Sequence, residues 1–189
     1  MAEFGYQIKI PKERIAILIG KNGQVKREIE ELTKTKLVID SKEGDVSVKG
    51  EDALLLYSTR EIIKAIGRGF NPETASLLIK QDYAFEIITL PEFDKKNHLT
   101  RIKGRIIGSE GKTRRIIEEM TECYVSVYGK TVSIVGRTDT LHIARKAIDM
   151  ILKGSPHSTV YRMLERMYRE TKRREYEDKP SEYLIKDNE

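Results

Sequence analysis

Phe4, Tyr6, Ile8 and Ile10 alternate with Gly5, Gln7 and Lys9, the two-residue period of a strand with one buried face. Pro11 ends it where a missing amide donor costs little, and a short helix is predicted over 13–19. Beyond a turn, Val25, Ile29 and Leu32 recur at helical spacing. Strands follow at 36–39 and 45–49, joined by a turn containing Gly44. A helix over 51–66 closes the unit, with Leu54, Leu55, Ile62, Ile63 and Ile66 as its expected buried stripe. The order is strand, helix, helix, strand, strand, helix.

That order returns in the second half of the chain. A strand at 83–90 is separated from the next helix by an insertion at 91–98. Strands at 123–128 and 131–135 meet in a tight Gly129-Lys130 hairpin turn, and a helix over 139–152 follows. Between the halves, 67–70 reads as a linker and 72–80 as a short helix with Asn71 as its cap. A last helix is predicted over 156–173, with Val160, Tyr161, Leu164, Met167 and Tyr168 on one face. The polar end, 176–189, is expected to fray. The expected boundaries are 1–70 for the first unit, 71–81 for a linker helix, 82–154 for the second unit, 155–175 for the C-terminal helix and 176–189 for the tail.

The two patterns are copies of each other. Ile19-Gly20-Lys21-Asn22-Gly23-Gln24-Val25-Lys26-Arg27 aligns with Ile107-Gly108-Ser109-Glu110-Gly111-Lys112-Thr113-Arg114-Arg115, 88 residues further on. The match continues without a gap through Ile29/Ile117, Glu30/Glu118, Glu31/Glu119, Thr33/Thr121, Leu37/Val125 and Ile39/Val127. After a two-residue deletion, Val46-Ser47-Val48 pairs with Val132-Ser133-Ile134 and Gly50 with Gly136. A Gly-x-x-Gly alone is a weak signal; embedded in a repeat, it marks a duplicated module.

Composition changes the picture in three places. Thirty-five basic against 30 acidic residues give a charge of +5 and a pI near 9.1, which favours a polyanionic partner. The single cysteine, Cys123, leaves no intramolecular disulfide to form and suits a reducing cytoplasm. No apolar stretch approaches the roughly 18 residues of a membrane span, so no membrane partner is expected.

The candidate chemistry lies at the glycine turns. A tight turn between helices needs conformations that glycine enters without steric cost, and the same missing side chains let a sugar-phosphate backbone come close. The helices starting at Gln24 and Lys112 would aim free amides and a positive dipole end at that spot. Lys12, Arg14, Lys21, Lys26 and Arg27 surround the first turn; Arg101, Lys103, Arg105, Lys112, Arg114 and Arg115 surround the second. With an apolar platform for unstacked bases, this suits single-stranded nucleic acid.

Other candidates read as structural. Glu30, Glu31, Glu118 and Glu119 read as solvent-facing helix charges. His98, His142 and His157 lack partners at metal spacing, and Cys123 stands alone, so neither a metal site nor a catalytic nucleophile is expected. Tyr124 and Tyr128 suit base stacking or sheet packing equally. Gly111-Lys112-Thr113 imitates the end of an NTPase phosphate loop, but Ile106 stands where that loop needs its first glycine.

The two Ile-Gly-x-x-Gly segments, in a βααββα setting, resemble the signature loops of KH domains over residues 4–66 and 83–152. Four further segments are similar to the tandem-KH, partner-of-Nob-type pre-rRNA processing factors of archaea and eukaryotes. They are Gly104-Arg105-Ile106-Ile107-Gly108, Lys112-Thr113-Arg114-Arg115-Ile116-Ile117-Glu118-Glu119, Tyr124-Val125-Ser126-Val127-Tyr128-Gly129-Lys130-Thr131-Val132 and Pro156-His157-Ser158-Thr159-Val160-Tyr161. The resemblance implies an α+β fold of two tandem type I KH domains, each with a three-stranded antiparallel-type sheet packed on helices, plus a C-terminal helix. It implies a non-enzymatic, cytoplasmic RNA-binding protein without cofactor, acting near the 3′ end of small-subunit rRNA and touching the maturation endonuclease or other assembly factors. An RNA-binding subunit of a degradation complex, or a nuclease, is the alternative. The expected RNA contacts are Arg14, Gly20, Lys21, Asn22, Gly23, Lys26 and Arg27 in the first copy. In the second they are Arg101, Lys103, Arg105, Gly108, Ser109, Gly111, Lys112, Arg114 and Arg115. The second loop departs from the usual pattern by holding Ser109-Glu110 where KH loops carry a basic residue. Its six flanking cations are expected to outweigh that carboxylate.

Overall fold

The computed structural model of the chain describes residues 4–91 and 96–178. The first half forms β1 (Phe4–Lys9), α1 (Lys12–Ile19), α2 (Gln24–Thr33), β2 (Lys36–Ile39), β3 (Asp45–Gly50) and α3 (Ala53–Gly67). A short α4 (Pro72–Ser76) and one 3-10 turn (Leu77–Ile79) lead across to the second half. That half forms β4 (Tyr83–Thr89), α5 (Lys96–Ile107), α6 (Lys112–Thr121), β5 (Tyr124–Tyr128), β6 (Thr131–Arg137) and α7 (Thr138–Leu152). A long α8 (His157–Asp178) completes the fold. Each half carries one antiparallel three-stranded sheet, ordered β1-β3-β2 and β4-β6-β5, with its second strand at an edge. The expected βααββα order thus holds twice. Parts of the expected insertion (92–95) and tail (179–189) lie outside the described residues.

Register places the cores. Ile8 faces Val46 and Leu37 faces Val48, so one side of the first sheet presents aliphatic residues to Ile15, Leu18, Ile29, Ile62 and Ile66 of its three helices. In the second sheet Ile88 faces Val132 and Val125 faces Ile134, above Ile106, Ile117, Ala144 and Ile148. Ile62, Ile63 and Ile66 of the α3 stripe are buried as expected, and the difference lies at its leucines. Asp52 accepts hydrogen bonds from the Leu54 and Leu55 amides at 2.8 and 3.1 Å, which starts the helix at Ala53 and turns the triple-leucine run. Leu56, 2 % exposed, fills the core, whereas Leu54 is 75 % exposed. Asn71 caps α4 as expected, its Oδ1 accepting from the Thr74 amide at 2.8 Å. The last helix runs on to Asp178, and its core side is Val160, Met163 and Leu164, with Tyr168 exposed.

The two sheets differ on their outer faces. In the first, Gln7, Lys9, Lys36, Lys49 and Val38 meet solvent. In the second, β6 is buried on both sides from Thr131 to Gly136, because the first module covers the outer one. Val135 belongs to the first module's core, with Tyr83 and Phe85 packed against it. Phe70 meets Phe85 edge to face, ring centroids 6.2 Å apart. Ser126 Oγ donates to the Arg68 carbonyl at 2.9 Å, and the Tyr128 hydroxyl donates to the Glu13 carboxylate. The linker passes so close to β5 that a Cβ on Gly69, at φ +102°, would lie 2.5 Å from Ser126 Oγ. Packing and polar contacts together hold the two modules as one body.

Candidate nucleic-acid interface

Both glycine loops adopt one conformation. Gly20 and Gly108 sit at φ 72° and 76°, Asn22 and Glu110 at 53° and 50°, Gly23 and Gly111 at 75° and 77°. Three of four loop positions thus have positive φ, which costs a non-glycine residue about 1–2 kcal/mol. The two glycines of each loop serve different ends. A Cβ on Gly20 would lie 2.9 Å from the Val25 amide nitrogen, and one on Gly108 would lie 2.7 Å from that of Thr113. These glycines let the next helix start immediately behind the turn. A Cβ on Gly111 would meet nothing within 4 Å, and one on Gly23 only the end of Arg27 at 3.6 Å. Their open side is where a ligand backbone can approach. Because Gly23 and Gly111 are also the N-caps of α2 and α6, no side chain takes up the first amides there. The Gln24 and Lys112 amides are taken by the Lys21 and Ser109 carbonyls; the next amides of each helix, with its dipole, are the groups that would meet an anionic oxygen.

Of the expected contacts, Lys21, Asn22, Arg27, Ser109, Lys112, Arg114 and Arg115 are exposed around the loops, and Lys26 is half-buried on α2. Glu110 is exposed too, and Arg115 Nη2 donates to its carbonyl at 2.7 Å, holding a cation against the loop. Arg14 is spent elsewhere. Its Nε and Nη2 donate to the carbonyls of Ile66 and Phe70 at 2.7 and 2.5 Å, so it closes the C-terminus of α3. Burial pushes its pKa below the usual guanidinium value. Arg105 plays the matching part in the second module, donating to Ile151 and Ser155 at 3.0 and 2.6 Å. Arg101 and Lys103 lie on α5 seven and five residues before Gly108, about 10 and 8 Å back along the helix. The α6 cations thus follow the second loop directly, whereas Arg101 and Lys103 stand one to two turns earlier on α5.

Two residues read as surface charges instead tie helices to strand edges, and one of them, Glu118, also lines a cleft. Glu30 accepts the Leu37 amide at 2.7 Å and Glu118 the Val125 amide at 2.8 Å, each tying its helix to the open edge of β2 or β5. Their recurrence at matched repeat positions, facing an unpaired strand edge, is the signal that could have found them. Burial raises the Glu118 pKa; the Val125 amide and Arg114, 3.7 Å away, act against it. A carboxyl with a raised folded pKa binds protons more tightly folded than unfolded. Stability from this group therefore falls as pH rises from the unfolded value through the folded one. Glu118→Gln keeps an acceptor for Val125 without the buried charge. We expect it to melt no lower than wild type at neutral pH, with any gain fading as the buffer is taken below the carboxylate range.

The second groove is a cleft of about 360 Å³ lined by Ile107, Arg114, Glu118, Tyr124, Val125 and Val127, and by linker residues 69–71 and 74. Tyr124 is exposed there, whereas Tyr128 belongs to the module interface. Helix α8 braces the same loop from behind: the Tyr161 and Thr113 hydroxyls are 2.8 Å apart, and His157 Nε2 lies 2.8 Å from the Arg105 carbonyl oxygen. Cys123 is buried, and desolvation pushes its thiol pKa up, away from nucleophilic use. Among the described residues, no group of three or more His, Cys, Asp or Glu could hold a metal ion. None of the described helices is long and apolar enough to cross a membrane.

Comparison with known proteins agrees with this geometry. The profile of the second KH domain of PNO1, a eukaryotic-type (type I) KH domain, matches residues 84–169, and the general KH profile matches 5–68. A KH domain-containing protein of Methanocaldococcus jannaschii is 45 % identical over 175 residues, covering 90 % of this chain and 77 % of that protein. The RNA-binding protein pno-1 of Caenorhabditis elegans is 32 % identical over 64 % of this chain, which spans 45 % of the nematode protein. In the crystal structure of an a/eIF2alpha–aDim2p–rRNA complex from Pyrococcus horikoshii OT3, one chain superposes with a TM-score of 0.83 at 48 % identity. That match covers 89 % of this chain and 96 % of that one.

Proposed function

Since the chain belongs to the PNO1/Dim2 family of tandem type I KH proteins, we propose that it binds single-stranded RNA, the RNA being small-subunit rRNA near its 3′ end during ribosome assembly. The observation that carries this reading is the pair of loops. Both hold one conformation, both turn an open glycine outward, and both present the uncapped start of a helix ringed by Lys and Arg. Backbone phosphates sit at the open glycines, on the free amides in the first turn of α2 or α6. Bases lie against Ile107, Val125 and Val127, where the edge of β5 can read their exposed hydrogen-bonding groups. The protein acts by holding RNA, in the cytoplasm and without cofactor, and offers the bound strand to the maturation endonuclease or other assembly factors.

Binding of a short RNA carrying the small-subunit 3′ end, against a perfect duplex of the same sequence, tests the proposal. The single strand should win clearly, because stacked and paired bases cannot enter the grooves. About four phosphate contacts at one engaged module give a slope near −3 for log affinity against log salt. Equal binding of the duplex, or an affinity indifferent to salt, would reject the groove model. RNA cleaved by the purified chain with Mg²⁺ or Mn²⁺ would favour the nuclease alternative.

A further inference from the structure

The second groove is not made by the second module alone. The linker leaving α3 is clamped on β5 by the Ser126–Arg68 hydrogen bond and by the fit of Gly69 under Ser126 Oγ, and it then enters the groove wall as Phe70, Asn71 and Thr74. We propose that Asn71, carried by the first module, is a specificity-determining residue of the second module's groove, reading the edge of one RNA base beside Tyr124. This rests on the single-stranded RNA reading above and goes beyond it, since the groove of a free-standing KH domain has no such wall.

The chemistry of the contact follows from the cap. The Oδ1 of Asn71 is committed to the Thr74 amide at 2.8 Å, which orients the side chain and leaves its Nδ2 with two N–H donors. The side chain is exposed and lines the cleft with Tyr124 and Ser126. Donors fixed in that way select a base edge presenting an acceptor, such as uracil O4 or guanine O6, over one presenting the amino group of cytosine or adenine at the same place. The ligand is thus a uracil or guanine within a single-stranded segment already held by the second loop. In the first module Val38, the repeat partner of Ser126, is 63 % exposed, so among the described residues nothing covers that strand as the linker covers β5.

The test uses the whole chain and a pool of short RNAs randomised in sequence, with the bound fraction sequenced. Asn71→Ser keeps a helix cap and removes the two amide donors, leaving only a shorter hydroxyl; Asn71→Asp keeps the cap and turns donors into acceptors. Wild type should prefer uracil or guanine at one position by roughly tenfold. The preference should vanish in the Ser variant and move to cytosine or adenine in the Asp variant, with unchanged melting. Identical sequence preferences in all three proteins would overturn the role of Asn71 while leaving RNA binding intact. If wild type retained no single-stranded RNA at all, the proposed function would fail and this inference with it.

Discussion

Reversing charge at Lys112 and Arg115 together should lower RNA affinity on the order of a hundredfold near 0.15 M salt, whereas Lys21 and Lys26 reversed together should cost less. Losing two phosphate contacts costs about tenfold at that ionic strength, and opposite charges roughly double the effect on a logarithmic scale. The asymmetry comes from the surroundings. Lys26 Nζ lies 3.9 Å from the Glu30 carboxylate, so part of its charge is already answered within the protein. Arg115 is drawn onto the second loop through the Glu110 carbonyl, beside the open start of α6. Glu110 itself is exposed and can turn toward solvent. Filter binding or fluorescence anisotropy at several salt concentrations decides the matter, once both double variants show wild-type melting. A larger loss from the Lys21/Lys26 pair would make the first module the main RNA site.

Gly108→Ala and Gly111→Ala, three residues apart, separate folding from binding. At Gly108 a methyl group meets positive φ and a Thr113 amide nitrogen only 2.7 Å away. Strain and overpacking together cost about 3 kcal/mol, a drop of roughly 10 °C in melting temperature for a chain of this size. At Gly111 the φ is equally positive, but nothing lies within 4 Å, so the cost is about 1 kcal/mol. That methyl instead occupies the side on which a phosphate would approach. Gly111→Ala should therefore keep the fold and lose RNA affinity, while Gly108→Ala unfolds early by calorimetry. Equal melting of the two variants would contradict the division of labour between the glycines.

Much of the architecture was readable because repeat and periodicity agreed: the Ile-Gly-x-x-Gly turns fell between segments of helical spacing in both halves, and the strands alternated. What escaped was set by tertiary packing. Three consecutive leucines cannot declare which one faces inward until the Asp52 cap sets the phase of α3. In β6, Ser133 and Val135 are buried because the first module lies against them, which no pattern within the strand can show. At the site, the cations of the α6 start were legible from their place beside the glycines. Arg14 and Arg105 looked the same in sequence, but their targets are carbonyls about 50 residues away, which no local pattern announces. The groove-lining linker was hidden for the same reason.

The contacts between the modules do more than bury surface. With β6 enclosed, Phe70 against Phe85, and the linker carbonyl of Arg68 held by Ser126, the two glycine loops stand at a separation and angle that the protein fixes in advance. A strand occupying both loops has to cross that gap with a set number of nucleotides, too few being unable to reach and too many having to loop out. With RNA in both loops the chain would work as a caliper, gauging the spacing between two bound elements, so a one-nucleotide insertion between them should count against binding as a wrong base does.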